Sequence, residues 1–554
     1  MDIKVLLQEA IYQAAHKAIA DGVFASQELP QIILEVPPKK EFGDFATNFS
    51  MQAARAAKTN PRVIAEAIVA RMQETWLDKA VIAGPGFINF YLKSDWLYTM
   101  LADILTQGEN YGNSQTDKKQ RVQVEFVSAN PTGPLHVGHG RGAAVGSALV
   151  NLLKAAGYDV ASEYYINDAG NQIDNLAASV HARYLELLGK EVEFPAEGYH
   201  GQDIIDTAQR IIDKDGAKYL TLSVAERLAV FKEVALKEKL AALKADLAAF
   251  NVQFDVWFSE NTLHQSGALK ETCQVLKDNG SIYEQDGALW LKSTACGDDK
   301  DRVVIRENGI PTYLAADIAY HRNKLERGFD QLINIWGADH HGYICRVKAA
   351  IGSLGYSPEQ LEVLIVQMVS LYRSGQLVKM SKRTGQSVTL SELIEEVGTD
   401  AARFFFIMRS LDSQLDFDLD LAKSTSNENP VYYVQYAYAR IASIFRQAAE
   451  EGITVEKIDY TKLNLLTSEC EMDLIKKLGE YQEEIADAAR ERAPHRIARY
   501  VHDLAGQFHT FYNQCRIKGV DHDLQLARMG LALAVQTTIR HALGILGISV
   551  PEKM

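Results

Sequence analysis

Between residues 121 and 126 apolar and polar side chains alternate, Arg121-Val122-Gln123-Val124-Glu125-Phe126, the period-two pattern of a strand. Asn130-Pro131-Thr132-Gly133-Pro134 breaks it. Val145, Leu149, Leu152 and Leu153 then recur at helical spacing, which predicts a helix from about His139 to Ala156 with Gly157 as its stop. Val160-Ala161-Ser162-Glu163-Tyr164-Tyr165-Ile166 reads as a second strand, followed by a helix from Asp168. Strand, helix, strand, helix is the rhythm of a parallel, doubly wound sheet. From about 190 to 260 the texture becomes charged and Lys- and Ala-rich, with a helix over 231–250, which predicts an insertion between two halves of that sheet. The sheet resumes with strands over 331–336 and 363–368.

The flanking regions have different patterns. Residues 1 to about 115 read as a separate α/β domain, with a short strand over 32–36 and a second over 86–92 after a Gly-Pro turn. The polar stretch 112–117 is a plausible linker. Beyond about 391 the pattern is almost wholly helical, and Asn427-Glu428-Asn429-Pro430 marks a boundary. The expected architecture is multidomain α/β plus all-α, with spans 1–115, 116–390, 391–426 and 427–554; 554 residues exceed what one core supports.

Composition narrows the function only slightly. The chain is 47% hydrophobic and 23% charged, as a soluble globular protein is, and its net charge is −14. A protein that coats nucleic acid through electrostatics alone would be basic, so that class is excluded, whereas a selective RNA enzyme with local basic groups is not. The five cysteines (273, 296, 345, 470 and 515) form no CxxC pair and suggest no structural zinc. The N-terminal helix carries Asp2, Glu9 and Asp21, unlike a transit peptide, and no apolar run reaches the roughly 18–20 residues of a membrane span. A cytoplasmic monomer, with no DNA or membrane partner, is the expectation.

Two motifs carry chemistry. Pro131-Thr-Gly-Pro-Leu-His136-Val137-Gly138-His139 ends a parallel strand and opens a helix, where backbone N–H groups and the helix dipole favour phosphate. Gly138 lets a purine approach the backbone, and His136 and His139, three apart, share a face and can donate to phosphate oxygens. An isolated HxxH is also compatible with an idle helix start or half a metal site. Lys379-Met380-Ser381-Lys382-Arg383-Thr384-Gly385 offers cations and hydroxyls for a triphosphate whose charge builds as pyrophosphate leaves. Alone, it reads equally as a solvated basic loop.

Together these motifs resemble the HIGH and KMSK signatures of class I aminoacyl-tRNA synthetases. Four further stretches are similar to arginyl-tRNA synthetases of the bacterial type: Glu41-Phe-Gly-Asp-Phe-Ala-Thr-Asn48, Glu125-Phe-Val-Ser-Ala-Asn130, Trp336-Gly-Ala-Asp339-His340-His341-Gly-Tyr343, and Ser426 through Arg440. Val137 replaces the signature's isoleucine, a conservative change. The resemblance implies a Rossmann-like catalytic domain with insertions, an N-terminal α/β domain that meets the tRNA elbow, and a helical anticodon-binding domain. It also implies ATP as a substrate, with Mg²⁺ carried on it and held by phosphates and water, and L-arginine and arginine tRNA as the other substrates.

The implied site residues follow position by position. His136, His139, Lys379 and Lys382 would be catalytic, and Gly138, Asp339, His340, Met380 and Ser381 would hold ATP. Arginine needs carboxylates at its planar guanidinium. Asp317, with Glu125 in support, is assigned there, Asn130 to the α-amino end, and Tyr313 to the same pocket, four residues before Asp317. Phe87 and Asn89 would touch a D-loop base, and Tyr436, Arg440 and Tyr512 the anticodon loop, although an aromatic stripe at helical spacing is mostly core. Without the resemblance, Glu125 is also an ordinary strand residue and Asp317 a solvated helix charge. Two alternatives stay open: another nucleotidylyltransferase or adenylate-forming ligase with the same motif pair, or a non-catalytic RNA-binding paralogue.

Overall fold

The computed structural model describes residues 3–26, 28–113, 120–378 and 387–554. The chain divides into two compact units that do not follow the continuous spans expected from the sequence.

The first unit comprises Met1–Gly108 together with Val455–Gly479 and Gln514–Ala534. Strands β1 (Phe45–Thr47), β2 (Leu77–Ala83) and β3 (Phe87–Leu92) form an antiparallel sheet in the order β1-β3-β2. The helix Ile3–Ala20 buries Leu7, Ile11, Ala14 and Ala18 in the core that also takes Ile88 and Phe90. Alternation along β3 turns Phe87 and Asn89 to the opposite face. The strand expected over 32–36 is reduced to one bridge, Glu35 with Ala46. Within this unit Lys476 pairs with Asp44, Lys40 with Glu469 and Asp473, and the thiols of Cys470 and Cys515 lie 3.0 Å apart.

The second unit comprises Glu109–Thr454, Glu480–Asn513 and Val535–Met554. Its strands are β4 (Arg121–Glu125), β5 (Asp159–Ile166), β6 (Val256–Ser259), β7 (Ile282–Gln285), β8 (Ala288–Leu291), β9 (Arg302–Ile305), β10 (Gln331–Gly337), β11 (Leu361–Val366), β12 (Val369–Arg373), β13 (Gln376–Val378) and β14 (Leu415–Asp418). Five of them make a wholly parallel sheet in the order β11-β10-β4-β5-β6. The chain steps from β4 outward to β6 and returns to β10 on the other side of β4. The carboxyl ends of β4 and β10 therefore flank a topological switch point, where open α/β sheets form a crevice. The helix Val137–Ala155 packs very closely here: a Cβ on Gly146 would lie 2.3 Å from the Phe126 ring, so only glycine fits.

Helices Asn171–Leu187, Gln202–Asp215 and Val224–Ala249 share their own core of Leu176, Tyr184, Ile204, Ala208 and Phe231. The region beyond 391 is not purely helical, because β14 pairs in parallel with β12. Its alternation was visible in Leu415-Asp416-Phe417-Asp418, buried and exposed by turns.

Two buried arginines tie segments of this unit together through carbonyls. Arg141 donates to the carbonyls of Gln367, Ser410 and Ser413 at 2.8–2.9 Å. Arg403 donates to Phe250 O and Leu546 O, each at 2.9 Å, and to Ser147 Oγ at 2.7 Å, so it satisfies carbonyls at two helix C-termini. The helix His522–Leu546 has the length and apolarity of a membrane span, with a mean hydropathy of 1.2, but 72% of that stretch is buried inside the protein.

Candidate active site

His136 is the N-cap of the helix Val137–Ala155, and the two histidines of the motif cap it reciprocally. His136 Nδ1 accepts from Gly138 N at 3.1 Å, and His139 Nδ1 accepts from His136 N at 3.3 Å. Their rings stack with centroids 3.7 Å apart. Burial lowers both pKa values, that of His139 to about 4, with the neighbouring His136 adding to the effect and Asp339 opposing it. Both rings are therefore neutral near pH 7. Because each Nδ1 is an acceptor, the ring proton of each sits on Nε2. The cap thus leaves two Nε2–H donors for a phosphate. Gly138 has a second reason to be glycine, since a Cβ there would press to 3.0 Å on the His136 ring.

The segment before the helix is held by another chain segment. Val137 N donates to Val388 O, Leu390 N donates to Leu135 O, and His136 bridges Thr389 in antiparallel fashion. Lys379, Met380, Ser381 and Lys382 lie outside the described residues. They fall between Val378, which ends β13, and this Val388–Leu390 segment beside His136. Across the switch point β10 leads into Asp339 and His340, both exposed, with His340 Nε2 3.4 Å from the Asp339 carboxylate. Among the described residues no group of three or more His, Cys, Asp or Glu is arranged to hold a metal ion.

Below the carboxyl ends of β4, β5 and β6 the acids converge. Glu125 ends β4, Glu260 follows β6, and Asp317 sits one turn into the helix Tyr313–Glu326. All three act on Tyr165 of β5, whose phenol is pushed far above its ordinary pKa, first by burial and then by Glu260 and Asp317. Burial also raises Asp317 to about 7; a hydrogen bond from Tyr343 Oη at 2.5 Å opposes this, Glu125 and Glu260 add to it, and Lys324 opposes it. Among the described residues neither Asp317 nor Glu260 pairs with a lysine or arginine; His264 stands 3.5 Å from Glu260. Two carboxylates without a strong counter-ion make a site for a cation.

Glu125 is different. Its Oε2 takes Lys324 Nζ at 2.5 Å and its Oε1 takes Ser128 Oγ at 2.9 Å, with Lys324 wholly buried and Glu125 7% exposed. Each oxygen thus carries one hydrogen bond and keeps a lone pair for a further donor. Lys324 also donates to Asn334 Oδ1 at 3.0 Å; Asn334 Nδ2 then donates to His321 Nε2 at 2.9 Å, and His321 Nδ1 donates to Asp317 O at 2.8 Å. Burial, with Lys324 adding, keeps His321 neutral by lowering it to about 3. Tyr313 opens the same helix and is 61% exposed, and Asn130 is exposed at the mouth of β4. The sequence reading missed Glu260, Lys324, His321, Asn334 and the role of Tyr343. One signal was available for Glu260: like Asn130 and Asp339, it comes just after a strand of the parallel sheet.

Of the residues assigned to RNA, Phe87 is partly exposed and Asn89 is 7% exposed on the central strand of its sheet. In the second unit Arg440 is held between two rings, 4.5 Å from the Tyr436 centroid and 4.6 Å from that of Tyr512, and donates to Tyr436 Oη at 2.7 Å. Tyr432 continues the stack beside Tyr436 at 6.1 Å. Tyr438 and Tyr500 are core.

Family models match three successive regions of the chain. Residues 5–92 match the arginyl tRNA synthetase N terminal domain, 100–409 the catalytic domain of tRNA synthetases class I (R), and 434–554 the DALR anticodon binding domain. An arginine–tRNA ligase of Carboxydothermus hydrogenoformans is 53% identical over 97% of this chain and 97% of its own length. One from Bacillus cereus is 54% identical over 100% and 99%. The solved arginyl-tRNA synthetase of Thermus thermophilus shares the fold across 100% of both chains, with a TM-score of 0.76 at 24% identity. With one of these models covering more than half of the chain, and relatives above half identity along its whole length, the chain belongs to the arginyl-tRNA synthetases.

Proposed function

We propose that this chain is an arginine–tRNA ligase. In the first step the carboxylate of L-arginine attacks the α-phosphate of ATP, the α–β bond breaks, and pyrophosphate leaves. In the second, a hydroxyl of the terminal ribose of arginine tRNA attacks the activated carbonyl and AMP leaves. The protein's work is to position the reactants and offset charge. The Nε2–H donors of His136 and His139 meet the phosphates at the helix N-terminus, Gly138, Asp339 and His340 border the nucleotide, and Lys379, Met380, Ser381 and Lys382 close on the triphosphate. Mg²⁺ comes with ATP and is held by its phosphates and by water.

The observation that carries the substrate is the pair Asp317 and Glu260, two buried or half-buried acids without a lysine or arginine partner among the described residues. They take the guanidinium together with Glu125, Tyr313 covers it, and Asn130 takes the α-amino group. Phe87 and Asn89 meet the tRNA elbow, and the Tyr436–Arg440–Tyr512 stack meets unpaired anticodon bases. The spans 1–115, 116–390, 391–426 and 427–554 are assigned elbow recognition, catalysis, stem contact and anticodon binding. The enzyme acts as a cytoplasmic monomer.

The deciding experiment is ATP–pyrophosphate exchange with each amino acid, run with and without tRNA. Exchange with arginine alone, and only when tRNA is present, is expected. Exchange with lysine or glutamine would refute the substrate assignment.

A further inference from the structure

Cys470 and Cys515 are 45 positions apart in the chain, yet their sulfurs touch at 3.0 Å. Cys470 stands in the first turn of the helix Glu469–Gly479, and Cys515 directly follows the helix His495–Gln514. What holds them face to face lies one residue on from each. Arg528 Nε donates to Glu471 Oε1 at 2.7 Å, and its Nη1 donates to Arg516 O at 2.5 Å. The other oxygen of Glu471 accepts from Ser468 N at 2.8 Å, which closes the helix start as well. Glu471 is wholly buried and Arg528 is 9% exposed, so this ion pair is costly to break. One side chain therefore fixes the backbone beside both cysteines. Their exposure differs: Cys470 is half-buried and Cys515 is buried. Among the described residues no third His, Cys, Asp or Glu joins them in an arrangement that could hold a metal ion.

We propose that Cys470 and Cys515 are a modification site, which a hydroperoxide oxidises to a disulfide and a dithiol reduces again. The bond staples the start of the helix Glu469–Gly479 to the turn after the helix that carries Tyr512. This goes beyond the ligase reaction and does not depend on it. The Cys470 sulfur, the one that solvent reaches, attacks hydrogen peroxide; the O–O bond breaks, one water leaves, and a sulfenic acid remains. The Cys515 sulfur then displaces the hydroxyl as a second water, and the S–S bond forms. Two thiol hydrogens and two electrons have passed to the peroxide. Burial, and after it the facing Cys515, hold the Cys470 thiol above its ordinary pKa. Thiolate is therefore scarce near neutrality and the first step is slow there, so the site answers sustained oxidation and not a brief pulse. The disulfide carries no charge, and the burial that opposes the thiolate does not oppose it.

The test takes the full-length protein, incubates it with hydrogen peroxide at about pH 8.5, where more thiolate is present, and alkylates the remaining thiols. Mass spectrometry of tryptic peptides should find the Cys470 and Cys515 peptides joined and lighter by two hydrogens than their sum. Dithiothreitol should return both thiols. Because the bond closes a long loop of the unfolded chain, the Tm of the oxidised protein should exceed that of the reduced protein by about 3 °C or more. Cys470→Ala and Cys515→Ala should each abolish the link and the rise in Tm. Cys470 is the less buried of the two, so its variant is the control if Cys515→Ala does not fold.

Three outcomes would overturn the proposal. One is that both thiols stay open to alkylation, or that Cys470 runs on to sulfinic acid while Cys515 is untouched. Another is a link from either residue to Cys273, Cys296 or Cys345 in place of the expected one. The third is an equal Tm for the oxidised and reduced protein. Each of these leaves the ligase reading intact, since ATP–pyrophosphate exchange by the reduced enzyme tests that separately.

Discussion

Tyr343 Oη donates to Asp317 Oδ2 at 2.5 Å, and it is the main influence drawing that carboxyl back from the high pKa that burial imposes. With Asp317 at about 7 in the free enzyme, a bound guanidinium must displace the proton that Asp317 holds below neutrality. Arginine binding therefore releases a proton at acid pH and none at alkaline pH. The groups facing Asp317 are Glu125, Glu260, Tyr343, Tyr165 and Lys324. The KM of arginine should fall by about tenfold per unit as pH rises towards 7, then level off. Tyr343→Phe should move the break to higher pH. A profile that is flat across this range in both enzymes would remove Asp317 from the pocket.

His136 combines a structural task with a chemical one, and two substitutions separate them. Asparagine is a good N-cap, so His136→Asn should keep helix stability within a few tenths of a kcal/mol, whereas His136→Ala should cost about 1 kcal/mol. Both lose the Nε2–H donor, so activation should fall roughly 10²-fold in each. Thermal unfolding and single-turnover adenylate formation check the two effects. An asparagine variant with full activity would refute a phosphate role for Nε2.

Arg403 satisfies carbonyls at the ends of two helices and touches no substrate residue. Its burial lowers its pKa to about 10, so it remains charged at neutral pH. Arg403→Met should destabilise the second unit by about 3 kcal/mol or more, because Phe250 O and Leu546 O lose their donor. Denaturant unfolding followed by tryptophan fluorescence measures this. A loss under about 1 kcal/mol would mean that water replaces the guanidinium.

The Arg440 guanidinium already lies against the rings of Tyr436 and Tyr512, so it is packed before any RNA arrives. Tyr512→Ala removes one face. The KM for tRNA should rise, by about 1–3 kcal/mol in binding, while the KM values of ATP and arginine stay in place. Aminoacylation at varied tRNA concentration tests this, and equal rises for all three substrates would point to general misfolding.

The ATP half of the site was legible because its parts are contiguous: Pro131 to His139 is one turn between a strand and a helix, and the reciprocal cap is written at spacing i, i+3. Asp317 was legible at spacing i, i+4 from Tyr313. Lys324 and Glu260 were not. Lys324 meets Glu125 across 199 residues, and nothing local to Asn323-Lys324-Leu325 distinguishes it from a solvated helix lysine. The left-handed turn at Val127 (φ 68°) and Ser128 (φ 41°) was hidden for the opposite reason, since neither valine nor serine favours positive φ. In the fold, the parallel sheet followed from its alternation, whereas the short strands β7 to β9 were too brief to stand out from their surroundings.

The switch point between β4 and β10 also sets a timetable for making the protein. Arg121 N bonds to Asp330, 209 residues further along the chain. At about 5–20 residues per second, roughly ten to forty seconds of translation separate the two strands. During that interval β4 can pair with β5, but its other edge has no mate, and an unpaired edge is an invitation to aggregation. The inserted helices, with a core of their own around Phe231, can fold in the meantime and keep the nascent chain compact. The crevice for ATP and arginine is thus among the last features to form, so no emerging fragment that stops short of β10 could act on its substrates.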